Sequence, residues 1–511
     1  MVARANTVAF QGIEVVEVGV QVQMASGLPA FTLVGLPDKA VAESRERVRA
    51  ALHAMGLALP PKRITVNLSP ADLAKEGNHF DLPIAIGILA AMDILPMDDV
   101  VAHSALGELA LDGTLLPVAG ILPAAVDAAK RDRSLICPAP QGGEAAWAGG
   151  RDVIAAPNLV ALVNHFRGSQ VLAAPAAPGP PMTTATGTGQ ADLAEVRGQE
   201  TAKRVLEIAA AGRHNLLMAG PPGSGKSMLA ARLPGLLPPL TSEEILEVSM
   251  IQSLAGLLEG GRLTDARPFR EPHHSASMAA IVGGGNRPKP GEISLAHRGV
   301  LFLDELPEFH RTALEALRQP IESGFAVIAR ANGHVRYPAR FQLVAAMNPC
   351  RCGYLADPAR ACLNAPGCTD RYQNRISGPL LDRFDLFVDV PAVRPQDLAL
   401  PANGETSAAI AERVIRAQTF RARVDTERPG DPGEREGGRL DDGARNLLLE
   451  AAERLGLSAR AYHRVQRVAA TIADLDGRET VSRPHLAEAL SYRCLDTKGS
   501  RMRSRTDRQT G

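Results

Sequence analysis

The stretch Gly220-Pro221-Pro222-Gly223-Ser224-Gly225-Lys226-Ser227 decides how this chain folds. It matches G-x-x-x-x-G-K-[ST], a loop whose backbone N–H groups close around phosphate oxygens. Glycine is needed there because a Cβ would obstruct that approach. An apolar run, Asn215–Ala219, precedes the loop and predicts a strand, and a helical pattern, Met228–Leu233, follows it. The helix N-terminus would place the positive end of its dipole at the phosphates. In this reading the loop cradles ATP, Lys226 reaches the β- and γ-phosphates, and the Ser227 hydroxyl holds Mg²⁺.

A second apolar run, Val300-Leu-Phe-Leu303, ends in Asp304-Glu305. Four apolar residues predict a buried parallel strand, and ligands of open α/β sheets gather at the carboxyl ends of strands. Asp304 is then expected in the Mg²⁺ shell, with Glu305 orienting or deprotonating the attacking water. A third strand, Phe341–Ala346, ends at Met347-Asn348, where Asn348 can reach the γ-phosphate or the water; the alternative is an Asn capping the turn before Pro349.

Around this core the chain has 511 residues, enough for about three to four domains. Lys+Arg and Asp+Glu both total 56, so net charge gives no argument for a nucleic-acid partner and any basic surface is local. No apolar run approaches a membrane span and no export signal is read, which predicts a cytoplasmic protein without a membrane partner. Residues 1–168 alternate short β-branched runs such as Ile64–Leu68 with Ala-rich helical stretches such as Ile84–Met92, and predict one domain. Residues 169–190 read as a linker, because Ala173–Gln190 is built of small and turn-forming residues with no charge. Asp192–Gly212 is helical by period and opens an ATPase core over 191–395. A helical unit over 396–495 and a basic, disordered tail over 496–511 complete the chain.

Between the acid strand and Asn348, Phe325–Tyr337 predicts a β-hairpin turning at Asn332-Gly333, with Arg330, His334 and Arg336 near its tip. These cations fit DNA phosphates, or a solvated tip. Four of six cysteines, Cys350, Cys352, Cys362 and Cys368, fall within a short span, enough for one structural zinc; a loop of reduced thiols is the alternative. Cys137 and Cys494 read as packing residues.

The segments Arg267-Pro-Phe-Arg-Glu-Pro-His273-His274, Gly283-Gly-Gly, Pro290-Gly-Glu-Ile-Ser-Leu-Ala-His297 and Leu301-Phe-Leu-Asp-Glu-Leu-Pro-Glu-Phe309 resemble the magnesium-chelatase-like AAA+ ATPases, and among them the ComM (YifB) proteins. The resemblance covers nearly the whole chain. It implies an AAA+ core with a helix-2 insert, a C-terminal α-helical lid, and a homo-hexameric ring. It further implies ATP-driven branch migration or helicase action on single-stranded or branched DNA during recombination in natural transformation, alongside recombination proteins. Leu380-Leu-Asp-Arg383-Phe-Asp385 is similar to the family's arginine-finger motif, which assigns Arg383 to a neighbour's γ-phosphate. Ser458-Ala-Arg460 resembles the sensor-2 arginine, expected to read nucleotide in the same subunit, and Gln199 falls at an adenine-side contact. The family also places a hairpin like 325–337 in the ring's pore. His273-His274 belongs to the inserted element or packs against it, and adjacent histidines rarely converge on one metal.

Residues 1–168 resemble the peptidase domain of Lon proteases through Asn67-Leu-Ser-Pro-Ala-Asp-Leu-Ala-Lys75-Glu-Gly77 and Gly107–Pro117. Lon chemistry needs a Ser activated by a Lys. Asn78-His-Phe-Asp81 holds no serine, and Val118–Leu122 is apolar where the lysine is expected, so a peptidase-like scaffold without peptidase activity is predicted. Three other readings stay open: a chelatase motor subunit driving metal insertion through a partner, an ATP-dependent protease (opposed by the missing Ser–Lys pair), and a nucleotide-gated scaffold indifferent to DNA.

Overall fold

The computed structural model describes residues 2–149, 152–179, 191–285, 289–330, 333–353, 355, 367–393, 396, 404–427 and 436–493. Cys362, Cys494, the side chains of Arg330 and His334, linker residues 180–190 and the tail 496–511 lie outside the described residues.

The N-terminal part is built on β1 (Val2–Gln11), β2 (Glu14–Ala25), β3 (Ala30–Val34), β4 (Arg63–Ser69) and β5 (His103–Ala105). A small hairpin, β6 (Glu108–Leu109) and β7 (Leu115–Leu116), then precedes β8 (Ser134–Pro138) and β9 (Val153–Ala156). Seven of these strands form one mixed sheet in the order β3-β4-β2-β1-β5-β8-β9. Alternation in β2 and β4 buries Val18, Val20, Val22, Ile64, Val66 and Leu68 on one face, as a period of two requires. The helix Asp81–Ala91 is apolar nearly all round and buried over its whole length except its last residue.

The second sheet comprises β10 (Leu216–Ala219), β11 (Phe269–Arg270), β14 (Val300–Leu303), β17 (Gln342–Met347) and β18 (Leu386–Asp389), in the order β11-β14-β17-β10-β18 and parallel throughout. Its three central strands are buried on both faces, which is why they read as unbroken apolar runs. Two hairpins, β12 (Gly283–Gly284) with β13 (Lys289–Pro290) and β15 (Phe325–Arg330) with β16 (Gly333–Pro338), stand outside this sheet. Helices Ser407–Glu427, Asp442–Leu455, Ala459–Leu475 and Arg483–Ser491 pack onto it through a shared apolar core. No helix among the described residues is long and apolar enough to cross a membrane.

Three expectations are corrected here. The helix read over Asp192–Gly212 is broken: a 3₁₀ turn at Leu193–Glu195 is separated from the helix Glu200–Gly212 by Gly198 and Gln199, both at positive φ. The helix read over Met228–Leu233 runs instead over Lys226–Ala230, and a 3₁₀ turn follows at Leu233–Leu236 with Pro234 near its start. The described first half of the linker is not free: Pro175 and Pro178 pack on Gly142 and Gly143, where a Cβ would meet them at 2.8 Å and 3.2 Å.

The two parts share a well-packed contact. Leu122 joins Leu240, Ile245, Val248 and Leu263 in one apolar cluster. Beside it the buried Glu144 carboxylate accepts from Ser253 Oγ at 2.5 Å and from the Leu122 N–H at 3.1 Å, and Trp147 Nε1 donates to the Gly261 carbonyl at 2.8 Å.

Burial also sets an acid limit on stability. His79 and His214 are fully enclosed, and the loss of hydration pushes each imidazole down to about 4. Their unfolded values are near 6.5, so between those values the unfolded chain binds more protons and stability falls as pH falls. The full loss by pH 4 is about 3 kcal/mol per histidine, an order-of-magnitude figure. Thermal unfolding followed from pH 7.5 to pH 5 is expected to show the melting temperature dropping most steeply below about pH 6.5. A melting temperature flat across that window would contradict the two buried neutral rings.

Candidate active site

The loop Gly220–Ser227 lies at the carboxyl end of β10, between β17 and β18. Its glycines are required by space and by backbone. A Cβ on Gly220 would stand 2.1 Å from the Val390 carbonyl oxygen, and Gly223 and Gly225 hold φ of 75° and 93°. Lys226 is buried, and its ammonium folds back to donate to the carbonyls of Gly220 (2.8 Å) and Pro221 (2.9 Å) and to Asn348 Oδ1 (3.4 Å). Burial lowers its pKa from the ordinary lysine value, against the pull of Asp304 and Glu305. The helix that follows the loop is five residues long, Lys226–Ala230.

Asp304 and Glu305 follow β14 directly. Ser227 Oγ donates to Asp304 Oδ2 at 2.7 Å, so the two oxygen ligands converge from the helix start after β10 and from the end of β14. A hydroxyl and a carboxylate meeting beside a phosphate cradle are a donor set suited to Mg²⁺, which favours oxygen ligands and retains waters. Glu305 is held at φ 51°, an uncommon conformation for a non-glycine residue, and its N–H donates to Asp304 Oδ1 at 2.8 Å. Asn348, at the end of β17, is therefore brought to the loop lysine, while Gln199 Nε2 donates to the Pro391 carbonyl at 2.6 Å and approaches the Ser224 carbonyl at 3.4 Å.

His274 was overlooked by sequence reasoning as a site residue. It sits in the turn after β11 with Nδ1 3.6 Å from Glu305 Oε2, and is braced edge-on by Phe309. The signal the sequence offered was its place in the segment Arg267–His274 that carries the family resemblance, and nothing in the sequence set that segment beside β14.

Arg383 and Arg460 are not at this loop. Arg383 precedes β18, and its carbonyl accepts from Asn215 Nδ2 at the amino end of β10, opposite the phosphate cradle. Its Nη1 donates to the Pro379 carbonyl at 2.8 Å and its Nη2 to Glu322. Arg460 Nη1 lies 3.5 Å from the same Glu322 oxygen, so the expectation that Arg460 reads nucleotide in its own subunit is corrected. The helix Ala459–Leu475 packs against the amino end of the sheet, where Asp385 accepts from Arg467 (2.8 Å) and pairs with Arg464 (3.3 Å). Burial works against the Asp385 carboxylate, yet Arg467, His214 and Arg464 hold it below the usual range. Asp385 in the Leu-Asp-Arg-Phe-Asp motif therefore docks a C-terminal helix, a role hidden at sequence level.

On the hairpin, Arg336 is exposed and its guanidinium covers the Phe325 ring at 4.4 Å. The hairpin is buttressed from the N-terminal part: a Cβ on Gly12, in the β1–β2 turn, would lie 2.1 Å from the Arg336 carbonyl oxygen. Among the cysteines, the thiols of Cys350, Cys352 and Cys368 lie within 4.8 Å of one another. Tetrahedral zinc with Zn–S near 2.3 Å sets sulphurs about 3.8 Å apart, so the Cys350–Cys352 pair, at 3.1 Å, would open slightly to hold such an ion. Gly353 in the same loop packs on Pro222 of the phosphate cradle, where a Cβ would meet its ring at 2.4 Å.

Comparison with known proteins agrees with this arrangement. The family model described as magnesium chelatase, subunit ChlI, matches residues 192–398, that of subunit ChlI of Mg-chelatase matches 20–141, and that of its C-terminal part matches 404–493. The chain is 47% identical to Competence protein ComM of Haemophilus influenzae, over 95% of this chain and 96% of that protein. It is 45% identical to the protein YifB of Escherichia coli, over 96% and 97%. The magnesium-chelatase 38 kDa subunit of Rhodobacter capsulatus is 28% identical, over 61% of this chain and 92% of that protein. A phosphate cradle, an acidic strand end and a matching relative along almost its full length together place this chain in the magnesium-chelatase-like ComM/YifB family of AAA+-type ATPases.

Proposed function

We propose that this protein is a ring-forming AAA+ ATPase that spends ATP to move on single-stranded or branched DNA, with branch migration during natural transformation as its task. The observation that carries the reading is the extent of the likeness to Competence protein ComM, which includes the N-terminal sheet. The chelatase subunit of R. capsulatus, by contrast, aligns over 61% of this chain, which favours a DNA motor over a chelatase motor.

In the proposed reaction Lys226 and the loop amides bind the β- and γ-phosphates, and Ser227 and Asp304 hold Mg²⁺. Magnesium supplies neutralisation of the charge that builds on the phosphate oxygens. Glu305 orients a water and accepts its proton as the oxygen attacks the γ-phosphorus, the bond to the β–γ bridging oxygen breaks and ADP leaves, while Asn348 keeps that water in line. Gln199 borders the adenine side. Arg383 and Arg460 act on a neighbour's nucleotide, a reading supported by their place at the sheet end opposite their own loop. That division of labour calls for more than one subunit, and the family resemblance supports a homo-hexamer.

The hairpin β15–β16 would carry Arg330, His334 and Arg336 to the DNA phosphates in the pore. The helical unit from Ser407 serves as the lid, and the N-terminal part as a Lon-related scaffold without the Ser–Lys pair. Support for that last assignment comes from buried His79 and Phe80 where a nucleophile would stand, and from Leu122 committed to the contact between the two parts.

Turnover measured without DNA, with single strands, with duplex and with a four-way junction tests the reading. A several-fold rise with branched or single-stranded DNA is expected. A rate indifferent to every DNA would defeat it and turn attention to a chelatase-type partner.

Zinc is proposed as a structural ion on Cys350, Cys352 and Cys368, with Cys362 as fourth ligand. Purified protein is expected to carry one zinc per chain. Cys350→Ser is expected to lose it and, because Gly353 leans on Pro222, to lower turnover several-fold. Metal-free wild-type protein with full turnover would remove zinc from the account.

A further inference from the structure

Glu322 is the point where two remote elements meet. It lies near the end of the helix Arg318–Ser323, which passes through Gly324 straight into β15. One of its oxygens accepts from Arg383 and stands 3.5 Å from Arg460. The adjoining cleft of about 410 Å³ is lined by Arg213, Arg267, Arg298 and Arg340, the first three paired with Glu244 or Glu247 behind them, and Glu322 is the one carboxylate among its described lining residues. Arg383 itself is only 5% exposed, and its Nε has no hydrogen-bond partner among the described residues. A buried guanidinium with an unused donor is costly unless another acceptor completes it.

We infer that Glu322 is a stand-in anion, one that holds Arg383 and Arg460 together in the resting state and lies outside the hydrolytic machinery once the γ-phosphate of a neighbouring subunit displaces it. The inference rests on the proposed action of Arg383 across a subunit interface. A phosphate is the stronger partner for this pair, since it offers several oxygens to two guanidinium groups, whereas one carboxylate oxygen serves both here. Displacement frees the helix Arg318–Ser323, which leads directly into the hairpin. The neighbour's nucleotide state thereby reaches β15 through one side chain.

Removing the stand-in makes the arginines available at once. Glu322→Gln in the full-length protein is expected to reach half-maximal ATP turnover at about two- to five-fold lower ATP concentration, the range a partly exposed ion pair can supply. Its maximal rate is expected to stay within about two-fold of wild type, because Glu322 is absent from the competent arrangement. Glu322→Asp, which keeps the charge, is expected to restore the wild-type ATP dependence. A fall in maximal rate comparable with that of Arg383→Ala would overturn the inference, since Glu322 would then be holding the arginine in its working pose. Unchanged ATP dependence would overturn it too, because the ion pair would be idle. Measuring Arg383→Ala beside these variants separates the two levels: if that variant turns over ATP normally, the action across the interface fails and the displacement model falls with it.

Discussion

Arg383→Ala is expected to reduce ATP turnover by about 10³-fold or more while weakening nucleotide binding only about a few-fold, in line with arginines that act on a neighbouring NTPase site. The size follows from position. Arg383 sits at the amino end of β18, whereas the phosphate cradle follows the carboxyl end of β10, so its guanidinium cannot serve the nucleotide of its own chain. What it would supply is charge stabilisation at the developing transition state, in a site closed by the next subunit. Mixing provides the sharper measurement. A Lys226→Ala chain retains Arg383 but cannot hold phosphates, and an Arg383→Ala chain retains the cradle. Combined, they are expected to recover a part of wild-type turnover, because some interfaces pair an intact cradle with an intact arginine. Two inactive proteins that stay inactive on mixing, each still assembling, would put Arg383 to work inside its own chain or nowhere.

Glu305→Gln separates binding from chemistry. The amide keeps the shape and can still hold a water, but it cannot accept the proton. A loss of about 10²–10⁴ in turnover is expected, with ATP affinity within a few-fold of wild type. Lys226→Ala should instead lose ATP binding, since its ammonium is buried beside the carbonyls of the cradle. The position of His274, 3.6 Å from the Glu305 carboxylate, gives the comparison a built-in reference: Glu305 has a partner to hold it when no water is being activated. Tight ATP binding without hydrolysis in Glu305→Gln supports the assignment. Turnover at the wild-type rate would move the base to another carboxylate.

The elements that carry the nucleotide chemistry were legible because their signals are local. β10, β14 and β17 are short apolar runs, each followed within a few residues by the polar groups that matter. The hairpin was legible for the same reason, although Gly333, read as a turn residue, pairs with Arg330 as the first residue of β16. Helix limits were less so. Gln199 adopts a left-handed backbone that no propensity for glutamine suggests, and the helix after the cradle is cut short ahead of Pro234. The uncharged stretch after residue 168 also misled, since Pro175 and Pro178 find a surface of small residues to cover.

The sequence by itself determined the phosphate cradle, the acidic strand end and the parallel sheet that joins them. Contiguous residues suffice for these: glycines that must turn, a lysine and serine that must follow, apolar runs that must be buried. Only the tertiary structure decided which distant side chains share a charge. Strand order β11-β14-β17-β10-β18 sets His274 beside Glu305, and the packing of Ala459–Leu475 on the amino end of the sheet sends Arg460 away from its own cradle to Glu322 and Arg383. Such pairs are far apart along the chain, and their attraction is too weak to leave a periodic pattern. They are fixed by the burial of other residues, and appear only when the whole core has closed.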